Sequence, residues 1–352
     1  MTKYKLENIA TLKYGKLPDK NKISAKKTKM NKYPIFTGYK VTGYYPEYIF
    51  SDSEVIVVAR GVGGTGDVKL SPKKAFITNL SIVIQVDKKI VNKKYLQLLL
   101  NSMNLRRLDS GSAQSQITIT HLKSFEVDLP PKDIQDKIAD KISLIERKMQ
   151  LNKQINANLD ELLSAIYNHL VGDKNHNAKL SDICFISNRK ISVSDLQLNN
   201  YWSNTNLLPD KAGAKIADKL PKAKNVNKVE AGDILFGNIR PYFKKIMYAS
   251  YNGGASTDVV CFHPNNSAIS EFLYSIIYSD KFISSVVRSA KGTKMPRGDK
   301  KQMMSYKVYL PTKEEIESFH KQANVILQQK QSNNVENEHL QELKKILLKR
   351  LF

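Results

Sequence analysis

From Ile138 the chain places residues at alternating steps of four and three: Ile138, Ile142, Ile145, Met149, Asn152, Asn156, Leu159, Leu163, Ile166 and Leu170. That spacing, kept for five heptads, predicts a coiled-coil seam whose middle alone is polar. The C-terminal stretch repeats the plan. Ile316, Phe319, Ala323 and Ile326 come first, then the polar run QQKQSNN at 328–334, then Leu340, Leu343, Leu347 and Leu351. Both stretches open just after a Leu-Pro and hold no proline beyond Pro131 or Pro311, as long helices require. A helix of about 38 residues is roughly 57 Å long at 1.5 Å per residue. Paired antiparallel, the two bring polar middle to polar middle, where buried asparagine costs stability but fixes register. Packing of each helix on its own neighbour, or homodimerisation, are the alternatives. The order globule–helix–globule–helix favours the intramolecular pair.

The chain divides into 1–130, 131–172, 173–311 and 312–352. The two large segments are mixed, with strand-like runs at 55–59, 80–86, 233–236 and 257–262 and helix-like runs at 93–108 and 269–288. They also look alike, with a period near 180 residues. KLENI (5–9) returns as KLSDI (179–183), and SEVIVVARG (53–61) lies opposite GDILFGNIRPYFKK (232–245). AFITNLSIVIQ (75–85) lies opposite GGASTDVVCFH (253–263), and FEVDLPPKDI (125–134) opposite YKVYLPTKEEI (306–316). The expected fold is therefore α+β: two similar mixed domains separated by two long helices forming an antiparallel coiled coil.

Charge narrows the function. Lys and Arg number 56 against 33 Asp and Glu, a net of +23 in 352 residues. The excess is not uniform: +12 falls in 1–130 and +10 in 173–311, but zero in 131–172 and +1 in 312–352. A basic excess confined to the duplicated segments points to a polyanion, either nucleic acid such as double-stranded DNA or an anionic membrane surface. Two basic modules on a spacer match a two-part target, since B-DNA repeats about every 34 Å and modules a fixed distance apart read separate half-sites. No run of about 18 apolar residues occurs, and the start MTKYKLENIATLKYGK has no apolar signal core. No membrane association is expected. Cys184 and Cys261 stand alone, outside any CxxC, so a cytoplasmic location fits.

Enzymatic motifs are absent. GVGGTG (61–66) satisfies GxGxxG, but DVKLSPKKAF comes next, with Pro72 where a helix would have to run. A glycine turn allowing close backbone approach is the better reading. There is no GxxxxGK[ST], no NPPY- or DPPY-like tetrapeptide, and the six histidines are scattered, so no metal site is expected. Two loops are better candidates for DNA contact. SGSAQSQI (110–117) offers Ser112, Gln114, Ser115 and Gln116, whose amides and hydroxyls suit base edges. SAKGTKMPRGDKK (289–301) offers Lys291, Thr293, Lys294 and Arg297 for phosphates or guanine. Arg60 and Arg240 end corresponding strands, and Tyr242 and Lys244 come close behind, a basic strip with an aromatic that suits the sugar-phosphate backbone.

Together these stretches resemble the specificity subunit of type I restriction–modification systems. KYPIFTGYKVTGYY (32–45), VIVVARGVGGTGDV (55–68) and GSAQSQITITHLKSFEVDLPPKDIQDKIADKI (111–142) carry the likeness in the first half. GDILFGNIRPYFKKIMYASYNGGASTDVVCF (232–262) and KGTKMPRGDKKQMMSYKVYLP (291–311) carry it in the second. The resemblance implies two target-recognition domains, each reading one half of a bipartite site, with the paired helices setting the gap and docking partners. It implies a non-catalytic chain without a cofactor. Two modification (methyltransferase) subunits would bring S-adenosylmethionine. Restriction subunits, ATP-dependent translocases and nucleases, would bring ATP and Mg. Because KGTKMPRG replaces GSAQSQIT, the half-sites should differ. A stand-alone DNA-binding regulator, a helical adaptor, and a self-contained methyltransferase or nuclease are the competing readings.

Overall fold

All four side chains of the strand Val55–Val58 are buried, so it is covered on both faces. Val55 and Val57 point into a cluster with Tyr95, Leu96, Leu99 and Leu100, while Ile56 points into one with Phe36, Phe50 and Ile77. An unbroken apolar run of four is the sequence mark of such a strand. The computed structural model describes residues 1–61, 64–109 and 116–352. It divides into two units, Met1–Gln150 with Glu338–Phe352, and Leu151–Asn337.

In the first unit Val55–Val58 lies in an antiparallel sheet ordered Ala10–Tyr14, Ser81–Val86, Val55–Val58, Val68–Leu70. The helix Lys93–Ser102 covers one face, its start capped by the Asn92 side chain, which accepts the Tyr95 N–H at 3.0 Å. A second, smaller sheet covers the other face, with Tyr33–Phe36 antiparallel to Val41–Tyr45 and parallel to Phe76–Ile77.

The second unit rebuilds the central sheet in the same order: Cys184–Ile186, Val259–Pro264, Ile234–Gly237, Ile246–Tyr248, again antiparallel. Ile234 and Phe236 face one cluster with Phe272, Ile276 and Phe282, and Leu235 faces another with Trp202 and Leu207. The outer sheet differs, running Lys190–Ser192, Asn225–Val229, Gly253–Ala255, Tyr201–Trp202. The stretch expected as one helix at 269–288 is two helices, Ser270–Tyr278 and Asp280–Ser289. Ser279 breaks the run and caps the second, accepting the Phe282 N–H at 3.2 Å. Likewise the run at 93–108 ends as α-helix at Ser102, and after Asn104 in the left-handed region a 3-10 turn covers Leu105–Leu108.

Two long helices, Lys132–Val171 and Lys313–Leu351, contribute to both units. In the first unit Glu146 accepts from Lys344 at 2.6 Å. In the second, Asn152 donates to Glu336 and Asn337, Asn156 pairs with Asn333 and Asn334, and Lys330 bonds Asp160. Residue numbers fall on one helix as they rise on the other, so the helices pair antiparallel and their polar middles meet. Ile138, Ile142, Ile145, Met149, Leu159, Leu163, Ile166, Leu340, Leu347 and Leu351 are all buried or half-buried. Leu343 is not: it is 46% exposed. Lys344 takes the inward position instead, because Glu146 stands opposite it and binds Lys94 as well.

The helix starts are fixed to their neighbours. Gln135, 1% exposed, donates to the carbonyls of Ile90 and Pro130 and accepts the Asn92 N–H. Thr312 and Glu315 form a reciprocal cap on the second helix, and Lys174 holds Glu315 at 2.6 Å. With the Lys174 ammonium beside it, the Glu315 carboxyl is held down at about 2.

Candidate nucleic-acid interface

The duplicated ladders allow the two units to be matched residue by residue. Val55 pairs with Ile84 and Val58 with Ser81; Ile234 pairs with Phe262 and Gly237 with Val259. Val58 therefore corresponds to Gly237, and Arg60 to Ile239 rather than to Arg240. Isolated bridges agree, since Arg60 is bridged to Gln116 and Ile239 to Arg297. The strands do correspond, but the two arginines are offset by one residue.

In the first unit the strip is anchored by backbone bonds. Ala59 N–H donates to the Leu80 carbonyl at 2.8 Å and Ile117 N–H to the Ala59 carbonyl at 2.8 Å. This holds Gln116, whose own N–H donates to Asp109 at 2.7 Å, beside the exposed Arg60. Arg60 has no carboxylate partner among the described residues. Ser112, Gln114 and Ser115 lie outside the described residues, as do Val62 and Gly63. The glycine run leads into the strand Val68–Leu70, not into the helix that a dinucleotide fingerprint would need. Gly66 has φ +90° and sits so close to the Arg106 backbone nitrogen that a Cβ would lie 2.8 Å from it.

In the second unit the loop carrying Lys291, Thr293, Lys294 and Arg297 folds back on itself through two Lys291–Arg297 backbone bonds of 2.9 Å. Arg240 meets it: its N–H donates to the Pro296 carbonyl at 2.8 Å and its guanidinium to the Lys294 carbonyl at 3.2 Å. Arg240 and Lys244 both adopt left-handed backbone, φ 53° and 52°, bracketing the tight turn Pro241–Phe243. Such conformations cost energy for residues with side chains and collect at functional sites. The turn holds Tyr242 out, 49% exposed, against the Phe243 ring at 4.9 Å.

The cations of this unit fall into two groups. Lys244 is tied to Asp280 at 3.0 Å, Lys291 to Asp299 at 2.9 Å and Arg297 to Asp258 at 3.0 Å. Lys244, and Lys211 beside it, hold the Asp280 carboxyl below the ordinary range, as Lys291 does for Asp299. Arg240 and Lys294 have no carboxylate among the described residues. The Arg240 Nε is buried without a partner, as are the side-chain oxygens of Asn238 and Ser256. A half-buried guanidinium held only by a carbonyl keeps donors for a ligand.

Sequence reasoning missed Phe243, Lys211 and the pairing acids Asp258 and Asp280. Phe243 was visible in PYFKK, but nothing in the sequence places Asp258 or Asp280 beside cations so distant along the chain.

A Cys–His–Asp group in the second unit has the composition of a nucleophilic site but the wrong geometry. His263 and the Cys261 thiol each contact a different oxygen of buried Asp233, at 2.6 and 3.1 Å, and not each other. Burial and the adjacent carboxylate push the Cys261 thiol far up, and burial holds the Cys184 thiol at about 12, so neither supplies a thiolate. A cleft of about 320 Å³ lined by Phe50, Asp52, Glu54, Gln85, Lys88 and Lys93 sits at the far end of the strand from Arg60. Its lysines are consumed by its acids, Lys88 by Asp52 and Lys93 by Glu54, both at 2.7 Å. Among the described residues no helix is long and apolar enough to cross a membrane.

Comparison with known proteins gives a consistent result. The family described as type I restriction modification DNA specificity domain matches twice, over residues 1–161 and 173–347. The type I restriction enzyme HindI specificity subunit of Haemophilus influenzae is 33% identical over 92 residues, 24% of this chain and 20% of the relative, so the match spans one fifth of that relative's length. The crystal structure of the type I restriction–modification system S subunit from M. genitalium superposes with a TM-score of 0.72 at 21% identity, covering 100% of this chain and 96% of that one.

Proposed function

We propose, from the premise that this chain belongs to the type I restriction–modification DNA specificity family, that it reads a bipartite, asymmetric duplex site, one half with each domain. The observation that carries this is the matched pair of strand ends. Each central sheet ends in the same frame, Ala59 donating to Leu80 as Asn238 donates to Asp258, and carries an arginine beside it, yet the side chains differ: Arg60 with Gln116 in one, Arg240, one residue further on, with Lys294 and Arg297 in the other. A repeated frame with changed side chains reads two different sequences. The long helices then set the gap between half-sites.

The chain supplies no chemistry of its own. Methylation by S-adenosylmethionine-bearing modification subunits, and ATP- and magnesium-dependent translocation and cleavage by restriction subunits, take place on partners. Support for docking comes from the first long helix, where Leu151, Ile155 and Leu162 are 44%, 43% and 49% exposed at steps that keep one helix face. Apolar residues on an already paired helix suit the methyltransferase subunits.

Methylome sequencing of cells carrying the full set of subunits tests this. One asymmetric two-part methyl-adenine motif should depend on this chain. Arg240→Ala should relax or change one base position in only one half, weakening binding there by about 1–3 kcal/mol, roughly fivefold to 150-fold. A change spread over both halves, or a palindromic motif, would overturn the reading and favour a symmetric regulator.

A further inference from the structure

We infer that the segment 13–32 of the first unit is a second DNA-contacting surface, a lysine clamp on the duplex flanking the first half-site; this rests on the DNA-recognition reading above. It holds eight lysines, at 13, 16, 20, 22, 26, 27, 29 and 32, and one acid, Asp19. All eight are exposed, and none has an ion pair or a side-chain hydrogen bond among the described residues. Asp19 is not available to them in the usual way, because its carboxylate caps a 3-10 turn by accepting the Asn21 N–H at 3.0 Å.

The segment is nonetheless held in a defined shape. Ser24 and Tyr44 exchange backbone bonds of 3.0 and 2.8 Å, Asp19 N–H donates to the Tyr45 hydroxyl, and Asn31 donates to the Lys22 carbonyl. None of these bonds uses a lysine side chain. Fixing eight like charges on one lobe raises self-repulsion and gives the fold nothing back, so the compensating charge comes from outside. A regularly charged polyanion fits.

Continuity with the candidate strip favours duplex DNA over an anionic lipid surface. Lys16 N–H donates to the Ile77 carbonyl and the Asn79 N–H to the Lys16 carbonyl, at 2.9 and 3.1 Å, and Leu80 of the same turn accepts from Ala59 and Arg60. Tyr14 reaches the other side of the strip, its hydroxyl accepting the Ile119 N–H at 3.4 Å. Leu17 and Met30, 76% and 79% exposed, are the features a lipid surface would use, and the test includes it.

The second unit has no equal. Between 208 and 228 it carries six lysines, but Lys211 is bound to Asp280, Lys215 to Asp218 and Lys228 to Glu230. The grip on flanking DNA is therefore asymmetric, stronger beyond the first half-site.

The test replaces Lys20, Lys22, Lys26, Lys27 and Lys29 by Gln in the full chain, assembled with its methyltransferase partner. Binding is measured against salt on one duplex extending well beyond the first half-site and on another ending at it. With three of the five lysines on phosphates, the slope of log K against log salt falls by about 2.7, at roughly 0.9 per contact, so the wild-type loss between 50 and 200 mM salt shrinks about 40-fold. That change should appear on the long duplex and vanish on the short one, with the methylated motif unchanged. Equal slopes for variant and wild type on the long duplex would overturn the clamp, as would loss of binding to phosphatidylserine vesicles with DNA slopes unaltered. Wild type showing no preference for any sequence would instead overturn the recognition reading itself.

Discussion

The ion pair between Lys330 and Asp160 ties the two long helices together beside the second domain. Their side chains keep only 14% and 21% of their exposure, and the Lys330 ammonium lies over the Tyr278 and Tyr274 rings at 5.7 and 6.0 Å. Lys330→Met keeps the aliphatic reach but removes the ammonium from the rings and leaves Asp160 charged without its cation, with only the Tyr278 hydroxyl beside it. Breaking a fully buried pair costs about 3–5 kcal/mol; with a fifth of Asp160 still wet, the expected loss is about 2 kcal/mol. Adding Asp160→Asn removes the stranded charge and should recover more than half of that, because buried charge and not the pair itself is what costs. The single tryptophan, Trp202, is 2% exposed inside this unit, so its fluorescence during urea unfolding of the full chain reports this unit alone. Lys330→Met should lower the urea midpoint with an unchanged slope, and the double variant should raise it again. A midpoint equal to wild type in the single variant, or no recovery in the double, would refute the reasoning.

The same geometry carries further expectations. A Cβ on Gly237 would lie 2.8 Å from the Asn204 Oδ1 and 2.9 Å from the Lys245 Cβ. Gly237→Ala should therefore cost about 1–3 kcal/mol by overpacking, read by the same fluorescence, and Asn204→Gly should restore only part of it, because the Lys245 Cβ stays in place. Asp280 is held below its ordinary value of 3.8, first by Lys244 and then by Lys211. A carboxylate depressed in the folded state stabilises it fully above 3.8, and that contribution fades as pH falls through the lower folded value. Carbon-detected NMR titration should thus find a midpoint below 3.8, returning towards it in Lys244→Gln. Asp280→Asn should free Lys244 and Lys211 and steepen the salt dependence of DNA binding by about one unit.

Much of the scaffold was legible because it rests on repetition. Ten seam positions at 3–4 spacing describe one helix face, and an apolar run such as Val55–Val58 can lie only between two covered faces. The errors came where a single distant partner decides. Leu343 looked like a seam residue, but Glu146 opposite it selects Lys344 instead. The apolar content of 269–288 continues across Ser279, and only the capping bond to Phe282 marks the break. The offset of Arg60 and Arg240 was invisible because the motifs around them differ, and bridges to Gln116 and Arg297 set the register. The outer sheets, built from strands as short as Phe76–Ile77 and Tyr201–Trp202, carry too few residues for periodicity to show.

What the two domains keep and what they change separate along a physical line. Three backbone bonds recur: Ala59 to Leu80 as Asn238 to Asp258, Ser81 to Thr78 as Val259 to Ser256, and Thr78 to Phe36 as Ser256 to Trp202. These fix the edge of the sheet and carry no sequence preference. The side chains at that edge are exchanged as sets. Val58 beneath Gly38 becomes Gly237 beneath Asn204, so a bulky residue below a glycine turns into a glycine below an amide whose oxygen has no partner. Gln116 becomes Arg297, and Arg60 becomes Ile239 with the arginine moved one residue on. Each exchange relocates hydrogen-bonding groups around the three bonds that recur, as the proposed reading of two different sets of base edges requires. On the proposed reading a domain pair altered in this way has no reason to prefer a two-fold symmetric target, and the proposed lysine clamp, present in one unit, acts in the same direction.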